Sequence, residues 1–344
     1  MSTLSDLGEF GLIDRLAQTL GPDASEHLVQ GIGDDAAVYR VGEGRVHVVT
    51  TDALVEDMHF DLAFTGFEDL GFKALSVNVS DVCAMNARPR YVTVALGVPP
   101  GTAPEDLDAL YRGVARACVR YGCTVVGGDV TRAPRLLLSV TVVGEAAEGD
   151  VSYRHGARDG DLLCVTGDLG AAFAGLKRLW EIKAQRAADP SFRPDLAAAS
   201  YVVGRHLAPT ARLDVVEALA RAGVRPTAMI DVSDGLTSEV HHLCRRSGVG
   251  ARVVEAALPV HVETRAVAER FGAKASAYAL SGGDDYELLF TLSEADAARL
   301  PAEKLFSVIG RIEGRAVVLQ SAEGDDVPLE AGGFTHFGPS GPTA

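Results

Sequence analysis

Aspartate recurs along this chain beside glycine or after β-branched runs, and that recurrence limits what the chain can fold into. The stretches are Gly31-Ile32-Gly33-Asp34-Asp35, Thr50-Thr51-Asp52, Asn78-Val79-Ser80-Asp81, Gly127-Gly128-Asp129, Asp231-Val232-Ser233-Asp234-Gly235 and Gly282-Gly283-Asp284-Asp285. Adjacent carboxylates repel unless a cation lies between them. Any single turn of this kind is ordinarily an Asx turn or an N-cap with no chemistry. The set as a whole points to a fold that gathers carboxylates along one edge of a sheet. Asp52, Asp129 and Asp231 are each expected to end a strand, and Asp35 and Asp285 to sit on glycine hinges. Hard oxygen ligands without a His or Cys cluster select Mg²⁺ over zinc.

Between these turns, strand-like and helix-like patterns alternate. Glu9 to Leu20 predicts an amphipathic helix with Phe10, Ile13, Leu16, Ala17 and Leu20 on one face. A strand is expected from Arg45 to Thr51. A helix from Glu68 to Ala87 places Leu70, Ala74, Val77, Asp81 and Ala84 near one face, with the aspartate as the anomaly. Strands follow at 90–98, 124–126 and 136–143, with a helix from Pro104 to Tyr121 between the first two. The polar, glycine-bearing segment 146–161 marks the domain boundary, giving 1–147 and 148–344. In the second half, strands are expected at 162–166, 228–232, 251–255, 286–292 and 306–312. Helices are expected at 171–182, 196–205, 212–222, 236–247 and 263–271, with 183–194 a surface excursion. This alternation implies α/β or α+β layers in both halves.

Composition narrows the partners. Net charge is −15, which opposes nucleic acid or an anionic membrane, though metals can invert the field toward an anionic small substrate. Of the 344 residues 47% are apolar, enough for sizeable cores. The five cysteines form no C-x-x-C pair, so a reducing, cytoplasmic setting is expected, and no apolar run approaches the ~20 residues of a membrane span. The N-terminus carries no signal-peptide pattern.

Familiar motifs fail on inspection. Gly31-x-Gly33-x-x-Ala36 imitates a dinucleotide fingerprint, but a strand follows it where a helix is needed. Gly170 to Lys177 imitates a P-loop, but Leu176 stands where the lysine belongs. Neither G-x-S-x-G nor H-E-x-x-H occurs. His59 and Tyr111 read by themselves as core residues, and Arg154 as a linker charge or a phosphate fork.

In order and spacing, GIGDDAAV, TTDALVEDMHF, KALSVNVSDVCAMNARP, VVGGDVTR, RHGARDGD, DVSDGL and SGGDDYELLF resemble the thiamine-monophosphate kinase family from about residue 8 to Phe337. The wider superfamily includes AIR synthetase, selenophosphate synthetase and a hydrogenase maturation factor. The resemblance implies a two-domain AIR-synthetase-like fold and a homodimer whose N-terminal sheets pair into a shared barrel. It implies metal ligands at Asp35, Thr51, Asp52, Asp81, Asp129, Asp231 and Asp234. Nucleotide contacts would fall on Tyr111, Gly128, Asp129, Arg154 and Ser233. Contacts to thiamine monophosphate would fall on His59, Asp284 and Phe334. The family often carries Glu where Asp284 stands, so this chain has a shorter reach there.

The implied reaction is ATP-dependent phosphorylation of thiamine monophosphate to thiamine diphosphate, with several Mg²⁺ ions. Its acceptor is a phosphate monoester with a second pKa of about 6, so no general base is needed. The obstacle is charge: two unit charges about 4 Å apart repel by about 4 kcal/mol at an effective dielectric of about 20. Direct in-line transfer is expected. The alternatives are a sister synthetase or a non-catalytic nucleotide-binding relative. No cysteine precedes Cys83 and the chain ends Gly-Pro-Thr-Ala, which disfavours the selenophosphate and hydrogenase branches.

Overall fold

The structure, a computed structural model, describes residues 4–21, 25–301 and 305–333. Two mixed sheets carry the architecture. The first is built from β1 (Leu28–Gln30), β2 (Ala37–Gly42), β3 (Arg45–Val55), β4 (Arg88–Val98), β5 (Thr124–Arg132) and β6 (Leu137–Ala147). Its spatial order is β1-β2-β3-β6-β4-β5, antiparallel except for the β4–β5 pair. Helix α1 (Leu4–Leu20) precedes this sheet, α2 (Phe67–Ala84) packs against it, and α3 (Pro104–Tyr121) packs on α2.

The second sheet contains β7 (Leu162–Thr166), β8 (Ala228–Val232), β9 (Ala251–Val254), β10 (Glu287–Leu292), β11 (Phe306–Ile312), β12 (Val317–Gln320) and β13 (Asp326–Pro328). Its order is β13-β12-β9-β11-β7-β10-β8, with β9 and β12 parallel. Helices α4 (Ala171–Ala188), α5 (Ser200–Leu207), α6 (Leu213–Ala222), α7 (Leu236–Ser247), α8 (Val262–Arg270) and α9 (Ala275–Ser281) accompany it. The expected two-domain α/β class holds. Among the described residues no helix is long and apolar enough to cross a membrane, and all five cysteines are free thiols.

Helix α2 is the hinge of the design. It packs on β3, β4 and β6 of the first sheet, and also on β8, β10 and α6 of the second half. One apolar face was expected, but residues 70–80 and 82–84 are all buried. A helix covered on both sides needs apolar residues all round, so its polar side chains are pressed against neighbours that must answer them. That is how Lys73, Ser76, Asn78 and Ser80 come to be buried.

Three other expectations are corrected. β3 continues to Val55 and β5 to Arg132, so Asp52 and Asp129 lie within strands, not at their ends. Both strands run on because β6 and β4 pair with them along that extra length. α4 continues to Ala188, absorbing the first half of the expected surface excursion. In α1, Ile13 and Ala17 line the central cavity while Leu16 and Leu20 are exposed, so that face does not enter the core.

Candidate active site

A cavity of about 1720 Å³ lies between the two halves, beneath α1. The glycine turn before β2 brings Asp34 and Asp35 to its wall, β3 brings Asp52, α2 brings Asp81, and the end of β8 brings Asp231, Ser233 and Asp234. Carboxylate oxygens of Asp35, Asp81 and Asp231 all lie within 4.8 Å of one another.

Four of these acids are fixed by neighbours, of which Arg154 was singled out from the sequence and Thr50, Asn78 and Ser80 were not. The Thr50 hydroxyl donates to Asp81 Oδ2 (2.6 Å), and the Ser80 hydroxyl to Asp231 Oδ2 (2.7 Å). The backbone N–H of Asp52 donates to Asn78 Oδ1 (2.9 Å). Arg154 Nη2 donates to Asp35 Oδ1 (2.6 Å). The alternation of β3 could have revealed Thr50, since residues two apart share a face and Asp52 was already singled out. Ser80 and Asn78 carried no signal, because only the double-sided burial of α2 gives them partners.

The electrostatics show a charge deficit. Burial first, then Asp52, Asp231 and Asp35, push the Asp81 carboxyl well above its ordinary range. Burial and Asp35 push Asp231 up to about 8, and the same two causes raise Asp52. Burial also raises Asp234 to about 6, and burial with Asp35 raises Asp34 to about 7. Asp35 Oδ2 is buried and accepts no hydrogen bond. Among the described residues the guanidinium that hydrogen-bonds this cluster is that of Arg154, and it bonds Asp35 through Oδ1, so the buried Oδ2 still needs a partner. The donor set is all oxygen and suits a hard divalent cation.

Asp34 has a separate task. Its carboxylate accepts the backbone N–H of Asp35 (3.1 Å) and of Arg154 (3.3 Å), so it clamps the turn to the linker that delivers Arg154. Two glycine loops meet on the far wall: a Cβ at Gly283 would lie 2.5 Å from the Ser233 carbonyl oxygen, so only glycine allows that approach. His59 lines the cavity from the bend after β3, with Nδ1 accepting the N–H of Val55 (3.1 Å). Asp284 lines it from the loop before β10.

Not every expected residue converges. Thr51 lines the cavity, but its hydroxyl donates to the Val140 carbonyl (3.1 Å), away from the Thr50–Asp81 pair. Tyr111 on α3 and Gly128 and Asp129 on β5 are exposed and do not line the cavity. Phe334 lies outside the described residues.

Comparison with known proteins is consistent with this architecture. The description "AIR synthase related protein, N-terminal domain" matches residues 33–146, and the corresponding C-terminal domain matches residues 158–320. Thiamine-monophosphate kinase from Aquifex aeolicus is 37% identical, over 97% of this chain and 99% of its own. The chain belongs to the thiamine-monophosphate kinase family. A second thiamine-monophosphate kinase, from Bacillus subtilis, is 33% identical over 89% of this chain and 93% of its own. A solved structure of AaThiL complexed with AMPPCP and TMP superposes with a TM-score of 0.83 at 36% identity, covering 98% of this chain and 99% of that one. The hydrogenase maturation protein HypE is similar at 22% identity and a TM-score of 0.66, which shows the shared fold alone.

Proposed function

We propose that this member of the thiamine-monophosphate kinase family transfers the γ-phosphoryl group of ATP to thiamine monophosphate, giving thiamine diphosphate, with Mg²⁺ held by the clustered aspartates. The observation that carries the reading is the convergence of Asp35, Asp81 and Asp231 within 4.8 Å, short of positive charge, inside a cavity of substrate size. The near-full-length likeness to AaThiL complexed with AMPPCP, an ATP analogue, and TMP supports the choice of substrates.

In this reading Asp35, Asp52, Asp81 and Asp231 hold the metal, with Asp234 and the Thr51 position beside them. Bound there, Mg²⁺ offsets the repulsion between two phosphate groups and the charge that develops on transfer. Arg154 keeps Asp35 in place and retains Nη1, outside that pairing, for a phosphate oxygen. Ser233 sits on the nucleotide side, and His59 and Asp284 serve the acceptor with Phe334. The acceptor phosphate is itself the nucleophile, so the chain needs only to bind, orient and exclude water.

Tyr111, Gly128 and Asp129 enter this scheme through a homodimer. Among the described residues β5 pairs only with β4 and forms an open edge carrying exposed Val126 and Val130, with exposed Tyr91 on β4. Open apolar edges of this kind invite pairing. Association there would cover the edge and bring its nucleotide and metal contacts to a shared cleft. We take the division of the chain at 147/148 as part of the same proposal.

The test is a coupled ADP-release assay with ATP, thiamine monophosphate and Mg²⁺, the product identified as thiamine diphosphate by chromatography. Turnover abolished by chelator is expected. ATP binding without ADP above background would overturn the reading in favour of a non-catalytic relative.

A further inference from the structure

Lys73 has no place in the reaction described so far. It sits on α2 with 2% exposure, where a lysine is costly unless it is paired. Its Nζ donates to Asp284 Oδ2 at 2.7 Å, a bond between the first half of the chain and the loop before β10. The lysine side chain is 3% exposed and the aspartate side chain 35%, so the cation stands behind and the carboxylate faces the cavity.

The loop carrying Asp284 is strained and held. Asp284 and Tyr286 both have positive φ, +67° and +52°, which side-chain-bearing residues rarely adopt. Such backbone persists only where its surroundings over-determine it. The N–H of Asp284 donates to the Ser233 carbonyl (2.7 Å) and that of Tyr286 to the Val232 carbonyl (2.8 Å). The Tyr286 hydroxyl donates to Asp284 Oδ1 (3.0 Å).

His206 is the other basic side chain at this carboxylate. Its Nδ1 is 3.7 Å from Asp284 Oδ2, too far for a hydrogen bond, and is buried without a partner. Burial and then Lys73 push the imidazole down to about 3, so it is neutral at ordinary pH. Burial by itself would raise the Asp284 carboxyl, but its neighbours together, Lys73 foremost, hold it below the ordinary range. Lys73 is therefore the charge that keeps Asp284 an oriented anion.

We infer that Lys73 is a positioning residue for the acceptor substrate, acting through Asp284: it fixes the carboxylate that receives the cationic thiazolium ring of the acceptor. This rests on the reading of Asp284 as an acceptor contact.

The test is steady-state kinetics on a double-mutant cycle. Lys73→Met is expected to raise KM for thiamine monophosphate about tenfold or more, with KM for ATP within about twofold. An unchanged acceptor KM in folded Lys73→Met would overturn the inference, as would equal rises for both substrates. The variant Lys73→Met/Asp284→Asn leaves neither charge unpaired, and so remains informative where the single variant does not fold. Its acceptor KM is expected to match that of Asp284→Asn alone. Effects that multiply would show Lys73 acting by another route. Wild-type turnover with thiamine monophosphate is the control, and its failure would remove the functional reading without touching the pairing.

Discussion

Asp231 and Glu287 stand on paired strands, one register step apart, and both are buried, yet their surroundings differ in kind. Glu287 is answered on both oxygens. Arg205 Nη1 donates to Oε1 (2.8 Å), while Arg212 Nη1 (2.6 Å) and the Thr166 hydroxyl (2.5 Å) donate to Oε2. Burial works against the charge of both arginines, and Glu287 helps hold both charged. The adjoining Asp285 accepts the N–H groups of Gly170 (2.6 Å) and Ala172 (3.2 Å), fixing the start of α4. Asp231 instead joins Asp35, Asp52 and Asp81 around a single guanidinium. The same residue type is structural where the fold supplies its counter-charge. Where the fold withholds it, the site is left for a cation from solution.

That contrast can be broken by experiment. Asp231→Asn should lower kcat by about 10³-fold, roughly 4 kcal/mol in the barrier, without lowering the melting temperature. Steady-state assay beside thermal melting decides it, and retained turnover would move Asp231 into the structural class. Glu287→Gln should do the reverse, costing about 3–5 kcal/mol of stability by leaving buried arginines without their counter-charge. Urea unfolding measures this, and a loss under 1 kcal/mol would show that the two regions do not differ as described. Next in size, Mg²⁺ at about a hundred times its Kd should stabilise the wild type by about 2.7 kcal/mol, and should stabilise Asp231→Asn much less. Calorimetry with and without chelator reads the difference.

The smallest effect concerns pH. Asp231 has its folded pKa raised to about 8 from an ordinary 3.8. A raised carboxyl favours protonation in the folded state, so its penalty is absent below about pH 4, grows through the interval and is complete above about pH 8. In chelator, the melting temperature of Asp231→Asn minus that of the wild type should therefore rise by a few degrees across that window. A flat difference would mean that the acidic pocket relieves its own repulsion.

The sequence was legible where local patterns decide. α3, β7, β8, α7 and β11 begin and end where periodicity and turn residues place them. It failed where a partner strand decides length, as for β3 and β5, and where a helix is covered from both sides, as for α2. Among site residues, the acids were visible because carboxylates beside glycine stand out. Thr50 was within reach of the β3 alternation, but Ser80 and Lys73 were invisible because each gets its role from a distant partner, with separations of 151 and 211. Tyr111 and Gly128 were named through the family resemblance and Asp129 also as a strand-end acid, and one chain does not bring them to the cavity.

The amino-acid order by itself determined the inventory: which segments extend, which coil, and that acids outnumber bases at the turns. Those properties depend on side-chain shape, period and charge within a few residues. Which acids are neutralised and which are left short was decided by the tertiary structure alone. Electrostatic balance depends on distance and burial, and these are set only when α2 is enclosed between the two sheets.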